Sequence, residues 1–110
     1  MNVLMCSTSY PETSQDWRGR FIANLAVALA QRDDLTLSLW APPGDLPANV
    51  SSATTPADAR WLQRLAHQGG IAHLLRSRRI LAARAVLTLL ARLGHAYRRQ
   101  PIDVAHVNWL

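Results

Sequence analysis

The sequence predicts an α/β fold, a partial parallel sheet sandwiched between helices in the order β-α-β-loop-α-α-β. Three observations carry this. Val3-Leu4-Met5-Cys6 is a continuous apolar run, the mark of a strand buried on both faces. Phe21, Ile22, Leu25, Ala26, Ala28 and Leu29 then recur at helical spacing, predicting a helix over 19–31. Leu35-Thr36-Leu37-Ser38-Leu39-Trp40 alternates apolar and polar, the period of a strand. A strand, a helix and a strand in such quick succession make a βαβ unit, whose strands run parallel through a right-handed crossover.

The rest of the chain extends this unit. Residues 41–56 hold Pro42, Pro43, Gly44, Pro47 and Pro56 among several Ser and Thr, and read as an exposed, flexible loop. A helix follows over 57–67, with Trp61, Leu62 and Leu65 on one side. Gly69-Gly70 interrupts it. Residues 71–99 read as mostly helical, bent near Ser77, and Pro101 stops the helix. Ile102 to Val107 reads as a third strand. A three-stranded parallel sheet leaves two open edges and one poorly covered face. With the apolar ending Trp109-Leu110, this suggests the front part of a larger α/β domain; a compact unit that pairs with itself or a partner is the alternative.

Composition narrows the class. Of 110 residues, 49% are hydrophobic and 17% charged, which excludes wholesale disorder. The net charge is +5, and all twelve basic residues are arginine, so the charge persists at any physiological pH. A single cysteine, Cys6, excludes an internal disulfide. Met1 to Cys6 lacks the basic flank of a leader. The arginine-free run Ala85–Ala91 spans only about 10 Å as a helix, against about 30 Å for a bilayer core. The expectation is a cytoplasmic chain with no membrane span, with attachment to the inner face of the cell membrane as a variant.

Ligands of open parallel sheets bind beyond the carboxyl ends of the strands, which selects the loop 7–18 and the segment from Asn108 onward. That loop leads into a helix at Gly19, where free N–H groups and the positive helix end favour a phosphate, with Arg18 and Arg20 adding charge. A glycine in an ordinary helix-entry turn is the competing reading. Neither a dinucleotide fingerprint nor a P-loop is present. On the last strand, alternation puts Val104, His106 and Asn108 on one face. His106 and Asn108 can there orient a hydroxyl or exchange a proton, unless His106 is a buried histidine satisfied by backbone. His67, His73 and His95 read as isolated and solvated, and no metal-ligand spacing occurs.

Residues 60–99 carry nine arginines and no acid. Arg84, Thr88 and Arg92 form an i, i+4, i+8 polar stripe among Ile80, Leu81, Leu87 and Leu90. The leading reading is a core helix with that stripe in water. Contact of Arg76, Arg78 and Arg79 with an anionic membrane is the second. Net charge alone supports nucleic acid, without aromatic or zinc-finger patterns, so nucleic acid is not an expected partner.

Taken together, Val3-Leu4-Met5-Cys6-Ser7, Ser9-Tyr10-Pro11, Gly19-Arg20-Phe21-Ile22 and Asn24 to Ala30 resemble the opening of the N-terminal domain of family 4 glycosyltransferases. Asp103-Val104-Ala105-His106-Val107-Asn108-Trp109 resembles their D-V-I-H-x-H-W strand and turn, with Asn108 at the second histidine. The resemblance covers both ends of the chain. It implies a GT-B architecture of two Rossmann-like domains facing a cleft, with residues 1–110 as an incomplete acceptor-side domain. It further implies retaining transfer of a sugar from a nucleotide-sugar donor to a glycan, lipid or small-molecule acceptor. The donor is a substrate, so no cofactor or metal is implied. Gly19 would lie near the donor diphosphate, and Tyr10, Asp16, Arg20, His106 and Asn108 on the acceptor side. The missing C-terminal domain would hold most of the nucleotide, so these residues alone should be inactive, and none is assigned a catalytic role. A non-catalytic, flavodoxin-like interaction module and a basic peripheral membrane-docking module are the alternatives.

Overall fold

The computed structural model describes residues 1–108; Trp109 and Leu110, read above as an apolar ending, lie outside the described residues. The elements are β1 (Asn2–Ser7), α1 (Arg20–Ala30), β2 (Thr36–Trp40), β3 (Val50–Ser52), α2 (Pro56–His67), α3 (Gly70–Ser77), α4 (Arg79–Arg98) and β4 (Val104–Asn108). The four strands form one sheet in the order β3-β2-β1-β4, and every pairing is parallel. The first and last strands therefore lie side by side, with Met5 opposite His106 and Ser7 opposite Asn108.

Alternation along the central strands sorts the core into two layers. Val3, Met5, Leu37 and Leu39 pack with Ile22, Ala23 and Ala26 of α1. Leu4, Cys6 and Trp40 pack on the opposite face with Leu62 and Leu65 of α2, Ile71 and Leu74 of α3, and Ala82, Leu89 and Ala96 of α4. β1 is thus buried on both faces, as its unbroken apolar run requires. The whole is an α/β sandwich of three layers with a Rossmann-like, all-parallel sheet.

Several expectations need correction. The loop expected over 41–56 contains β3, which extends the sheet to four strands. Its three residues, Val-Ser-Ser, are too few to display alternation, and they follow Asn49 in the left-handed conformation at φ 69°. Nor is that loop wholly exposed, because Ala41, Pro42 and Ala53 are buried. The helical stretch 71–99 is two helices. α3 enters from Gly69 and Gly70, both at positive φ, and the chain is extended at Arg78 before α4 begins. β4 starts at Val104 rather than Ile102. Asp103 precedes it and clamps the edge of β1: its N–H donates to Asn2 O at 2.8 Å, and its Oδ2 accepts the Asn2 N–H at 2.6 Å.

The largest correction concerns α4. Its buried residues are small or few (Ala82, Leu89 and Ala96), whereas Ile80, Leu87 and Leu90 are 81%, 67% and 53% exposed. Of the stripe expected in water, Arg84 is exposed but Thr88 and Arg92 turn inward. Thr88 is half-buried, and Arg92 ion-pairs with the buried Asp58 at 2.7 Å while lying 5.8 Å from the centre of the Trp61 ring. Asp58 is buried, and leaving its carboxylate unpaired would cost about 3–5 kcal/mol, so this rotation of the helix keeps Arg92 against it. At 20 residues α4 is also long and apolar enough to cross a bilayer by length and composition, although 17% of that stretch is buried against the protein. The sequence measure missed this by counting only the arginine-free run.

Candidate functional site

β1 and β2 both end at one edge of the sheet, and the loops that leave them wall a cleft of about 240 Å³. Thr8, Ser9, Tyr10, Glu12, Asp16 and Arg18 come from the first loop, Pro42 from the second, and Ala66, Gly69 and Gly70 from the end of α2 and its turn into α3. This is the crevice at the carboxyl ends of parallel strands where ligands of open sheets bind.

The first loop owes its shape to two glycines. Gly19 sits at φ 70° as the N-cap of α1, and a Cβ there would lie 2.7 Å from Tyr10 N and from Ser9 Oγ. At Gly44 a Cβ would run into Pro11 O and the Tyr10 ring. The loop is thereby gripped from both sides. Tyr10, only 5% exposed, completes the grip by donating its hydroxyl proton to Asp45 O at 2.6 Å. Burial raises its pKa, and the nearby Arg20 opposes that shift.

Asp16 organises the polar wall. Its carboxylate accepts the Glu12 N–H at 3.1 Å, the Arg18 N–H at 3.0 Å and Arg18 Nε at 3.2 Å. The Glu12 N–H bond first, and then the two bonds from Arg18, hold its pKa down to about 2. A fixed negative charge therefore stands in the cleft beside the Arg18 guanidinium. His67, expected to be isolated, instead meets Glu12 Oε1 at 3.3 Å and links the end of α2 to the loop.

The sequence-selected residues divide into three groups. Tyr10 and Asp16 line the cleft. Gly19 and Arg20 stand behind it. Arg20 sends Nη2 to the carbonyls of Thr13, Ser14 and Asp16 at 2.7–3.0 Å, so its charge braces the loop from behind. In the first turn of α1, the Arg20 and Ile22 N–H groups already donate to Trp17 O and Gly19 O. His106 and Asn108 form the third group, on β4. They share a face as alternation requires, with His106 Nε2 3.3 Å from Asn108 Oδ1, and His106 is exposed rather than buried. Asn108 borders a separate, apolar cavity of about 20 Å³ between Cys6, Trp40, Leu89 and Leu93. Cys6 is sealed there, its thiol pushed up to about 12 by burial, and it is no nucleophile.

Glu12 and His67 were not selected from sequence, whereas Arg18, expected to add charge at the helix entry, lines the cleft. Glu12 and His67 are far apart in the chain, and only the return of α2 to the strand ends brings them together. Among the described residues, no group of three or more His, Cys, Asp and Glu is placed to hold a metal ion. No protein-family model, curated protein or solved structure matches the chain.

Proposed function

We propose that this chain is the acceptor-side portion of a retaining glycosyltransferase of GT-B architecture, one wall of a cleft whose other wall is a nucleotide-binding domain. The observation that carries the proposal is the polar cleft at the carboxyl ends of β1 and β2, where the fixed Asp16 carboxylate and the Arg18 guanidinium stand together. Saccharides offer many hydroxyl groups and little charge. A carboxylate that never protonates at neutral pH accepts from them, and a guanidinium donates to them. The paired motifs at the two chain ends support the same reading, since β1 and β4 lie adjacent and bring Ser7 and Asn108 to one sheet edge.

In this scheme Asp16, Arg18 and Glu12 hold the acceptor, Tyr10 is the rigid wall behind it, and His106 with Asn108 faces the interdomain gap. The donor nucleotide belongs to the second domain, so the isolated chain binds acceptor saccharides weakly and does not turn over. Calorimetric titration tests this. Millimolar-range binding of oligosaccharides, lost in Asp16→Ala, with no saturable heat from nucleotide sugars, is the expected result. Tight binding of a nucleotide sugar by these residues alone contradicts it.

A further inference from the structure

From the orientation of α4 we infer that the outer face of this helix docks on an anionic lipid surface, lying along it rather than crossing it.

On a helical projection Ile80, Ala83, Leu87, Leu90 and Ala91 share the side opposite the buried Ala82, Leu89 and Ala96. Ile80, Leu87 and Leu90 are all more than half exposed. A surface helix of a water-facing protein places polar residues there. This one places them inward and sideways, where Arg92 meets Asp58 and where Arg84 and Thr88 border a crevice with Trp61 and Arg64 of α2. The apolar stripe is therefore left facing out by the way the core is built.

Charge names the occupant. From Ala59 to Ile102 no residue is acidic, and nine are arginine. Arg76, Arg78 and Arg79 are exposed and gather where α3 gives way to α4. Arg78 is the N-cap of α4, no side chain caps it, and the first turn holds no acid. Three exposed guanidinium groups thus stand at or next to the positive end of a 20-residue helix with no acid in its first turn, a combination that favours phosphate groups. A leucine stripe flanked by arginine is the pattern of an interfacial helix. A nucleic acid would use the arginines and leave the stripe wet; a second copy of this chain, itself of net charge +5, would set its own arginines against these.

Spanning is disfavoured by packing. Ala82, Leu89 and Ala96 seat α4 on the sheet, and Arg92 anchors it to Asp58. Insertion across a bilayer would strip one face of the core and drag a bonded guanidinium into hydrocarbon.

Co-sedimentation with vesicles of phosphatidylcholine, alone or with about 30 mol% phosphatidylglycerol, tests the inference. The 110-residue chain should pellet with the anionic vesicles and not with the neutral ones, and should be released by raising salt to about 0.5 M. Replacing Arg76, Arg78 and Arg79 together by Ala should weaken partitioning on the order of 100-fold, at about one kcal/mol for each arginine. Leu87→Gln should weaken it about tenfold while leaving the arginines in place. Both changes are at exposed positions, so far-UV circular dichroism and the melting midpoint should match the parent, and Ile80→Gln is a second variant for the same stripe. Equal binding to neutral and anionic vesicles overturns the inference. So does a dimer in sedimentation velocity that Leu87→Gln dissolves, or binding to duplex DNA in place of vesicles.

Discussion

Asp58 is the best single point at which to test how the layers are joined. It is 4% exposed and stands as the third residue of α2, its N–H donating to the N-cap Thr55 Oγ1 at 3.1 Å. Oδ2 accepts the indole N–H of Trp40 at 3.1 Å, and Oδ1 accepts Arg92 Nη1 at 2.7 Å. One carboxylate therefore ties β2, α2 and α4 together, with Arg99 a further 4.0 Å away and itself bonded to Ala53 O. In Asp58→Ala the Trp40 N–H, on a side chain 1% exposed, loses its acceptor, a cost of about 1–3 kcal/mol. Breaking a fully buried pair costs about 3–5 kcal/mol, but Arg92 is one-third exposed and water recovers part of that. The net is about 3 kcal/mol, which in a domain of this size lowers the melting midpoint by roughly 15 °C. Thermal unfolding followed by circular dichroism measures it. Asp58→Asn should fall between the two, because its amide oxygen still accepts from Trp40. Asp34→Ala is the control: its bond to Arg32 is fully in solvent, and the midpoint should stay where it is. If Asp58→Ala moves the midpoint no more than the control does, the carboxylate is not the joint described here.

Other expectations follow from the same geometry. Burial pushes Asp58 up, but the bonds from Trp40 and Arg92 outweigh it and hold the folded pKa below the ordinary value. The stability it confers is present above the unfolded pKa, about 3.9, and is lost as pH falls through the lower folded value, so urea midpoints should drop below about pH 4 and Asp58→Asn should flatten that drop. Gly19→Ala forces a Cβ against Ser9 and Tyr10 at φ 70° and should cost about 2–3 kcal/mol in chemical denaturation. Gly94→Ala, within α4 and with open space around it, should gain about 0.5–1 kcal/mol in the same measurement. Cys6, buried and with its thiol pushed up to about 12, should react with a disulfide reagent only as fast as the protein opens; rapid labelling in native buffer would contradict its placement.

Much of the fold is legible in the sequence because two signals there are strong. The unbroken run Val3–Cys6 and the alternating run ending at Trp40 each have one sensible home, and a parallel arrangement follows from the helix between them. β3 is not legible, since Val50 is its only apolar residue and pairing with β2 alone makes it a strand. The rotation of α4 escapes for a different reason. Counting apolar positions favours burying Leu87 and Leu90, whereas the helix turns Arg92 toward Asp58, a partner 34 positions away that no local pattern reveals. The same holds at the cleft. Tyr10 and Asp16 can be picked out by their place after the first strand, whereas the bracing role of Arg20 and the contact of Glu12 with His67 depend on how the loop folds back.

The cleft at the ends of β1 and β2 is where the account stands or falls, and amide-resolved NMR of the labelled chain titrated with a panel of oligosaccharides reads it directly. Graded shifts are expected at Ser9, Tyr10, Glu12, Asp16 and Arg18 with α1 and α4 unmoved, and they should be lost in Asp16→Ala. Shifts confined to other surfaces, or a silent cleft with every saccharide tried, would contradict it.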